Sequence, residues 1–593
     1  MSKKFIYSLC AGLALVGMAS CSNDDVKGPG LVTSGNSVGY AKVIVSYPSS
    51  TSRADGGYDY GTADERAIDK IFLGFYDSTN RFVGYGEQIS DTDAAETTQT
   101  GTPDKNVSNV HAMVFKVMLN EGEELPTKAV AFINTDLLTV DLDVLKANYA
   151  FDGTKINVDG KKFVMTNSGY YDADASTNAN WKLEVNIDPE KNIFATETEA
   201  NAANTAAAGQ LTFYVERLAA KITIKAAETI NEDNLNYKVV DIDGKALKLS
   251  YEPTNWAATG KAKQESLVKN QFAATTDSWK NKAADFRSYW AEGFTYGAEF
   301  ETYYDDEKGV EGNPLTYVTF GQIWNEDQSD FDLSKLTAVG SHEYVPEHTT
   351  KLQMEKDSKG NLTKGEYLLA NTYALVTGVY TMTGETASKF GNAQDGFDFY
   401  LLLKSIDTDT NVKTYTAYTE KELIEYLLKY NGFEAVYTTE DQEEYTAVED
   451  LAEVLELVYD SATKKYTLVV KGEGTTLYKK TSETEYAAIV AETDFAKPTN
   501  SKHFHYANGA AYFNVPIVHN DGATATYGVV RNHSYVLTIN AIQNLGAPLD
   551  DNGLDDENKD TPIIPDPDDM KDHYINAQIN VLSWHVIENG TVL

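Results

Sequence analysis

The residues in this sequence with the clearest potential for metal chemistry are closely spaced histidines and carboxylates. The stretch "SHEYVPEH" brings His342, Glu343 and His348 together, and imidazole and carboxylate are the ligand types of protein zinc sites. However, Pro346 is incompatible with the helix that an HExxH zinc-protease motif needs, and the spacing differs from that motif. We therefore interpret this stretch as a solvated loop.

A second candidate is "HFHY", which places His503 and His505 on one face of a predicted strand. Two ligands without an obvious third make a weak metal site, so surface histidines are the favoured interpretation. "DTDTNVK" begins like a calcium loop, but Val412 stands where glycine is needed and Tyr418 where a bidentate glutamate is needed. It is predicted to be a hairpin turn, and "DIDGK", which starts at Asp241, a tight turn. We expect no metal site and no cofactor.

Other classes of chemistry lack their sequence signals. The sequence has no P-loop, no GxSxG and no dinucleotide-binding fingerprint. Its formal net charge of -39, from 50 basic and 89 acidic residues, would repel nucleic acid and anionic lipid. Carboxylates are so numerous that a glycosidase pair stays open, although nothing marks any two of them. We expect that the chain is not an enzyme and does not bind nucleic acid.

The N-terminus, "MSKKFIYSLCAGLALVGMASCSNDD", has the pattern of a signal peptide. Two lysines precede an apolar run from Phe5 to Met18, which is short for a membrane span, and small residues lead to Cys21. A signal that ends at a cysteine is similar to a bacterial lipoprotein signal, which implies removal of residues 1–20 and acylation of Cys21. Cys10 is lost with the signal, so no disulfide is expected.

The rest of the chain has the pattern of an all-β protein. Short segments rich in apolar, tyrosine and threonine residues, such as "DKIFLGFYD", "KAVAFINT" and "FDFYLLLKSI", alternate with Gly, Asn and Asp turns. They fall into two series that divide near residue 225, which is the spacing of sandwich domains.

Two helices are predicted to interrupt the second series. In "TEKELIEYLLKYNG", Thr419 is the expected N-cap, Glu422 completes a capping box and Gly432 ends the helix. The segment "TAVEDLAEVLELVYD" repeats this pattern with Thr446 and Glu449.

The first predicted strand is followed by a polar loop. "GYAKVIVSYP" alternates apolar and polar residues from Tyr40 to Tyr47, and it is followed by the loop "SSTSRADGGYDYG". This loop contains the Arg53-Ala54 bond, which is expected to be exposed. The other Arg-Ala bond, Arg66-Ala67, precedes a predicted strand and is expected to be ordered.

The C-terminus is a strand-like segment on an acidic, proline-containing tether, Leu549 to His573, which could extend to about 80 Å at ~3.3 Å per residue. The apolar phase of the segment changes midway, which a bulge or a break into two strands would provide. The alternating residues are Tyr574, Ile575, Ala577, Ile579 and Val581, followed by Leu582, Trp584 and Val586. The tail could fold back onto its own sheet or reach a neighbouring molecule.

These two ends fit one scheme. If the chain is cut at Arg53-Ala54, the first strand can leave its sheet and expose unpaired backbone groups beside an apolar groove. The C-terminal strand of another subunit could fill the groove, as in donor-strand complementation. Such a head-to-tail contact produces a filament.

Several motifs in order resemble one family. "YVERLAAKITI" (Tyr214 to Ile224), "YGVVRNHSYVLTI" (Tyr527 to Ile539), the acidic tether and "YINAQINVLSWHV" together look like the Bacteroidetes fimbrillins, specifically the Mfa1-type major fimbrial subunits, or type V pilins. Arg531, Asn532 and His533 in the second motif have no assigned role, and a structural one near a strand end is expected.

The resemblance implies two transthyretin-like β-sandwich domains, at 54–225 and 226–548, after a propeptide at 21–53. It also implies lipidation at Cys21, cleavage after Arg53 by an Arg-specific protease, and a donor strand within residues 574–593. Arg66-Ala67 is the weaker alternative for the cleavage bond. The expected partners are identical subunits, with anchor and tip subunits at the fibre ends.

The expected function is therefore that of a stalk subunit of a cell-surface fimbria that serves adhesion or biofilm formation. A tip or anchor subunit of such a fimbria is one alternative. A surface lipoprotein that binds or hydrolyses glycans is another, in which the tail completes its own sandwich.

Overall fold

A computed structural model of the chain consists mainly of β-strands. The structure describes residues 37–47, 61–62, 64–88, 109–147, 149–158, 162–167, 170–171, 181–203, 208–233, 235–269, 281–282, 287–288, 290–303, 312–324, 331–353, 365–391, 398–460, 465–472, 474–495, 499, 501–520, 526–549, 563, 576–580 and 585–592.

The elements of the N-terminal part are mostly short strands. They are β1 (Ser37–Tyr47), β2 (Ile71–Tyr76), β3 (Phe82–Gln88), β4 (Asn109–Leu119), β5 (Lys128–Ile133), α1 (Leu142–Lys146), β6 (Ala150–Asp152), β7 (Asn157–Val158), β8 (Lys162–Phe163), β9 (Met165–Asn167), β10 (Tyr170–Tyr171), β11 (Trp181–Lys182), β12 (Val185–Asn186), α2 (Pro189–Asn192), α3 (Glu197–Ala202) and β13 (Leu211–Arg217).

The main N-terminal sheet closes on itself. Its strand order is β12-β5-β2-β3-β4-β1-β13-β9, and β9 also pairs with β5, so the strands from β5 to β9 form a ring. The ring encloses one hydrophobic core. In β4, for example, Met113, Phe115 and Val117 are buried while Lys116 is only half-buried, as the alternation of a strand requires.

The middle of the chain continues with longer strands. They are β14 (Ala220–Asn231), β15 (Tyr237–Val240), β16 (Ala246–Thr259), β17 (Lys261–Ala262), β18 (Gln264–Ser266), β19 (Asn281–Lys282), β20 (Arg287–Ser288), β21 (Leu315–Thr316), α4 (Phe320–Ile323), β22 (Thr337–Ala338), β23 (His342–Val345), β24 (His348–Thr349), β25 (Tyr373–Thr383), β26 (Phe399–Ile406) and β27 (Lys413–Tyr418).

The last part contains the longest helix among the described residues. Its elements are α5 (Glu420–Tyr430), β28 (Tyr437–Thr438), β29 (Thr446–Ala447), β30 (Leu455–Asp460), β31 (Lys465–Val470), β32 (Tyr478–Lys480), β33 (Tyr486–Ala488), α6 (Ala491–Asp494), β34 (His503–Tyr506), β35 (Ala510–Pro516), β36 (Val518–Asn520), β37 (Thr526–Val529), β38 (His533–Ala541), β39 (Ala547–Pro548), β40 (Asn576–Asn580) and β41 (His585–Val592).

The C-terminal part is built on two larger sheets. A five-stranded sheet has the order β23-β14-β38-β41-β40, and another has the order β34-β26-β27-β15-β16-β25-β35-β39 with β22 beside β16. Both contribute to one core, to which Ile222 and Leu537 belong on the first sheet and Trp256, Val376 and Phe513 on the second. The all-β sandwich class predicted from the sequence is confirmed.

The chain passes from the N-terminal ring to the five-stranded sheet between Arg217, the last residue of β13, and Ala220, the first residue of β14. The predicted domain boundary near residue 225 falls within β14. The division into two domains stays a prediction.

One predicted helix is confirmed and the other is wrong. α5 begins after the Thr419 N-cap with the expected capping box to Glu422, and the chain turns at Gly432, whose φ is +92°. The segment from Thr446 instead forms β29, a 3-10 turn at Leu451–Glu453 and β30, which pairs with β31. The reason is that the residues of "LELVYD" alternate between more buried and more exposed positions, as in a strand, and the segment pairs with β31 in a hairpin. This pairing overrides the helical capping pattern at Thr446.

The two predicted turns are hairpins. Asp241 follows β15, and its side chain accepts hydrogen bonds from the N–H groups of Asp243 and Lys245 at 3.0 and 2.8 Å. Asp407 follows β26 and accepts from the N–H groups of Asp409 and Thr410 at 3.0 and 2.9 Å. Both are turns in which an aspartate side chain binds its own backbone.

The histidine stretches differ from the sequence-based expectations. His342 and Glu343 lie in β23 rather than in a solvated loop, and Glu343 accepts from Thr337 at 2.7 Å. His348 is buried, and burial lowers its pKa to about 4. His503 is also buried rather than at the surface. Its Nδ1 accepts a hydrogen bond from the N–H of Tyr466 at 2.9 Å. His505 is half-buried and stacks on Tyr400.

Within the described ranges, no helix is long and apolar enough to span a membrane. The same residues contain no group of three or more His, Cys, Asp or Glu side chains arranged to hold a metal ion.

Candidate functional site

The first strand is an internal member of the closed N-terminal sheet. β1 runs antiparallel to β4, with Ala41 opposite Phe115 and Val43 opposite Met113. On its other side β1 runs parallel to β13, with Val43 opposite Leu211 and Val45 opposite Phe213. A sheet without β1 would therefore be an open one with two unpaired edges.

The positions beside β1 on the core face are apolar. Phe115 and Met113 in β4 and Leu211 and Phe213 in β13 are buried, as is Ala41 in β1 itself. Together these strands form what we call the β1 slot, which is the space between β4 and β13. The outer face of β1 is covered in part by α3, because Lys42 Nζ donates to Asn201 Oδ1 at 3.4 Å.

Gly39 shows how closely the start of β1 fits the slot. Its φ is +155°, and a Cβ at this position would lie 2.6 Å from Ile193 Cγ2 and 2.7 Å from the Phe194 carbonyl oxygen. No other residue type would fit this position without displacing one of these neighbours.

The C-terminal tail forms a hairpin on its own chain in this structure. β41 runs parallel to β38, with Val586 opposite Ser534, and β40 pairs antiparallel with β41. Ala577 and Ile579 lie in β40, and Val586 lies in β41. The segment is thus divided into two strands, which is one of the two arrangements that the change of apolar phase predicted.

The tether is anchored partway along. Ile563 is buried in a cluster with Leu549 and Ile323, and its N–H donates to the Val318 carbonyl at 2.7 Å. The chain between Ile563 and β40 can therefore extend to about 40 Å at ~3.3 Å per residue, which is half of the reach expected from the sequence.

Several predicted site residues lie outside the described residues. They are Cys21, Arg53, Ala54, Tyr574, Ile575, Val581, Leu582 and Trp584. The alternative bond, Arg66-Ala67, is described and follows a 3-10 turn at Asp64–Arg66, in which the Ala67 N–H donates to the Asp64 carbonyl at 3.3 Å.

The two motifs quoted for the resemblance meet in space. β14 and β38 are parallel neighbours, with Ile222 opposite Tyr535 and Ile224 opposite Leu537. At the start of these strands, Arg217 Nη1 donates to Asn532 Oδ1 at 3.1 Å. The Asn532 backbone is left-handed, with φ of +57°.

A buried glutamate, Glu65, lies beside this junction. Its Oε1 accepts from Lys221 Nζ at 2.8 Å and from the Tyr344 hydroxyl, and its carbonyl accepts from Arg217 Nε at 2.6 Å. Its Oε2 accepts from the Thr62 N–H at 2.6 Å. We call Glu65 with these four partners the Glu65 clasp. Although burial opposes ionisation, the Lys221 charge and these hydrogen bonds keep the pKa of Glu65 below its usual value.

A second buried group surrounds Arg531, and we call Arg531, Glu265 and Glu347 the Arg531 cluster. Arg531 Nη2 lies 3.1 Å from Glu347 Oε1 and 3.9 Å from Glu265 Oε2. The Glu347 N–H donates to Glu265 Oε2 at 2.9 Å. Burial raises the pKa of Glu265 to about 8, the nearby Glu347 carboxylate adds to this effect, and the Arg531 charge opposes it.

His533 completes the second motif as a packing residue. Its Nδ1 donates to the Arg531 carbonyl at 2.8 Å, and its ring contacts that of His519. The structural role expected for Arg531, Asn532 and His533 is therefore observed. Sequence reasoning missed Glu65, Glu265 and Glu347, and the signal that could have found their site is the presence of Arg217 and Arg531 within otherwise apolar strand sequences.

The match to a protein-family model lies in the C-terminal part of the chain. Residues 504–590 match the family model described as "Major fimbrial subunit protein type IV, Fimbrillin, C-terminal". This range contains β38, the second motif and the C-terminal hairpin. No curated protein matches the sequence.

Among solved structures, the chain resembles fimbrial proteins at low identity. A fimbrilin (FimA) from Porphyromonas gingivalis is 15% identical over 64% of this chain and 81% of that one, with a TM-score of 0.26. The tip fimbrial protein Mfa3 of that organism, with a C-terminal truncation, is 9% identical over 58% and 83%, with a TM-score of 0.24.

A fimbrial assembly protein from Parabacteroides distasonis is 11% identical over 72% of this chain and 98% of that one, with a TM-score of 0.23. TM-scores this low do not establish a shared fold, so the assignment depends on the family model and on the motifs inside its range. In its C-terminal region, residues 504–590, the chain is similar to the fimbrillin family.

Proposed function

We propose that this protein is a fimbrillin and the stalk subunit of a cell-surface fimbria. In this proposal it is exported as an outer-membrane lipoprotein acylated at Cys21, cut after Arg53 by an Arg-specific protease, and polymerised by donor-strand exchange to serve adhesion or biofilm formation. Its partners are identical subunits along the fibre, with anchor and tip subunits at the ends.

The observation that carries the proposal is the position of β1. This strand is joined to the body at its C-terminal end through the segment that contains Arg53-Ala54, and it lies between β4 and β13. Removal of β1 would leave two rows of unpaired backbone groups beside the buried side chains of Phe115, Met113, Leu211 and Phe213. Such an opening is costly in water, and an added strand would close it.

The C-terminal hairpin supports the same proposal. The hairpin forms the edge of the five-stranded sheet. Within that sheet, β38 is the strand of the body with which it pairs. To fill the β1 slot of a neighbour, it would have to separate from β38 and present a strand antiparallel to β4 and parallel to β13. The alternation of Ala577 and Ile579 with polar residues suits a slot with one core face.

The proposal predicts that Arg53→Ala blocks maturation. The variant should accumulate as a lipidated precursor with β1 in place, and fibres should fall to background, because the slot never opens. The measurement is N-terminal sequencing of surface-extracted protein together with electron microscopy of the cells. Arg66→Ala is the matched control and should mature and assemble normally.

A wild-type polymer that begins at Ala54 would support the proposal. Normal fibres from the Arg53→Ala variant would refute this cleavage site, and a polymer blocked by lipid at Cys21 would favour an anchor or a non-fimbrial lipoprotein.

A further inference from the structure

The chain contains a second Arg-Ala bond, Arg66-Ala67, only a short distance after the proposed cleavage site. A cut there would remove the residues that hold the start of the body against the two sheets. The structure offers a physical reason why this bond would resist a protease that cuts after Arg53.

Proteases bind their substrates as extended backbone over several residues, so a bond is cut only when its flanking backbone groups can be released. The backbone on both sides of Arg66-Ala67 is already bonded. On the N-terminal side, the Glu65 carbonyl accepts from Arg217 Nε at 2.6 Å. On the C-terminal side, the Ala67 carbonyl accepts from Asn134 Nδ2 at 2.8 Å.

The side-chain contacts add to this restraint. The Glu65 carboxylate is fully buried and is held by Lys221 from β14, by Tyr344 from β23 and by Thr62. Asn134 also binds the Asp69 N–H at 2.9 Å, so the segment is fixed beyond the bond as well.

These contacts come from different sheets. Arg217 is the last residue of β13 and Asn134 directly follows β5, and both strands belong to the N-terminal ring. Lys221 and Tyr344 lie in the five-stranded sheet. The partners named here lie outside β1, although Arg217 belongs to β13, the strand that pairs with β1.

We infer that the Glu65 clasp, together with Asn134, protects Arg66-Ala67 from Arg-specific proteolysis and so decides the choice between the two Arg-Ala bonds in favour of Arg53-Ala54. This inference rests on the proposed processing for its biological meaning. Its physical content, the resistance of one bond, does not depend on whether fibres form.

The test is digestion of the full chain, purified in detergent, with an Arg-specific endoprotease, with the products identified by intact mass and N-terminal sequencing. Glu65→Gln removes the charge that Lys221 binds. Asn134→Gly removes the second restraint but keeps the left-handed backbone, since Asn134 has a φ of +55°. Each variant should be cut after Arg66 at least about tenfold faster than wild type, because loss of a buried hydrogen-bonding partner raises the open population by about that factor.

The matched control is Asp64→Asn. Asp64 lies in the same turn as Glu65, but it is exposed, so this variant removes a carboxylate without removing a buried contact. It should be cut after Arg66 as slowly as wild type. Arg217 and Arg531 are internal controls for global unfolding, because these residues are 1% and 0% exposed and a folded chain should not be cut after either.

Faster cutting after Arg66 without cutting after Arg217 or Arg531 supports the inference. Equal rates in wild type and both variants would overturn it, as would rapid cutting of wild type after Arg66. The bond after Arg53 provides a separate readout. A wild-type chain that resists cutting after Arg53 counts against the proposed maturation, whereas the inference about Arg66-Ala67 is still decided by the rates of cutting after Arg66.

Discussion

At the scale of residues, the charged groups buried between the two sheet systems determine how the body is held together. Glu65, Arg217 and Lys221 connect the N-terminal segment to β13 and β14, and the Arg531 cluster connects β38 to the chain around Glu265 and Glu347. Removing one partner of such a buried pair costs about 3–5 kcal/mol, because the other charge is left without compensation. We therefore expect these residues to favour one arrangement of the two parts.

Glu265 makes a testable contribution to stability. Its pKa is about 8 in the folded chain against 4.5 as the usual value, so between these two pH values the folded state holds a proton that the unfolded state releases. This group therefore makes the free energy of unfolding fall as pH rises from about 5 to 8. Glu265→Gln should remove the part of this fall that Glu265 causes. The change in the free energy of unfolding between pH 5 and 8 should then be smaller than in wild type by at least about 1 kcal/mol, since each unit of pKa shift corresponds to about 1.4 kcal/mol.

The measurement is urea unfolding of wild type and Glu265→Gln at several pH values between 5 and 8. Glu252→Gln, an exposed glutamate in β16, is the control and should keep the wild-type slope. An identical pH slope in wild type and Glu265→Gln would show that Glu265 ionises normally.

The sequence indicated the basic residues of these buried groups but not their acidic partners. Arg217 and Arg531 stand in motifs that could be recognised, and the role of Arg531, Asn532 and His533 near a strand end was expected. Their acidic partners could not be found, because Glu65 lies 152 positions from Arg217 and Glu347 lies 184 positions from Arg531. Local periodicity carries no information about pairs so far apart.

At the scale of elements, β1 and the C-terminal hairpin are the two parts that the proposed exchange would move. β1 was predicted from alternation alone, and the structure extends it to Ser37–Tyr47. The division of the tail into β40 and β41 follows its change of apolar phase. What alternation could not provide is the neighbour of each strand, since pairing partners such as β13 and β38 are set by the whole topology.

The helix predictions show the same limit. α5 has a capping box, a buried apolar face and a terminating glycine, and these local signals agree with its surroundings. The segment after Thr446 has a similar capping pattern, but β31 offers it a strand partner, and pairing decides its structure.

Deletion of residues 574–593 tests the donor role at this scale. The truncated chain should fold and be processed but should not form fibres, because no donor strand remains. It should also lose some thermal stability, since the β38 edge is left unpaired. Size-exclusion chromatography and electron microscopy measure the outcome, and fibres of normal length would contradict the donor assignment.

A matched pair of substitutions makes this test finer. Ile579→Asp puts a charge at an apolar position of the alternation, whereas Gln578→Asp puts the same charge at a polar one. Burial of a branched side chain contributes about 1.5–3 kcal/mol, so the first should weaken assembly by about 10- to 100-fold and the second should have little effect.

At the scale of the whole molecule, assembly has to overcome charge repulsion. A formal net charge of -39 opposes non-specific association of subunits, so fibre growth requires a specific contact of high complementarity. A vacated β1 slot offers such a contact through backbone hydrogen bonds and a core face. Because the slot and the tail are different surfaces, the proposed contact would be head-to-tail and the assembly open-ended.

The most direct test of this account is the structure of the assembled fibre at a resolution that shows side chains, read at the slot between β4 and β13. The account predicts that the slot holds residues from the C-terminal segment of the adjacent subunit and that residues 37–47 are missing from the fibre. A slot that still holds the subunit's own residues 37–47, with β41 paired to β38 of the same chain, would contradict it.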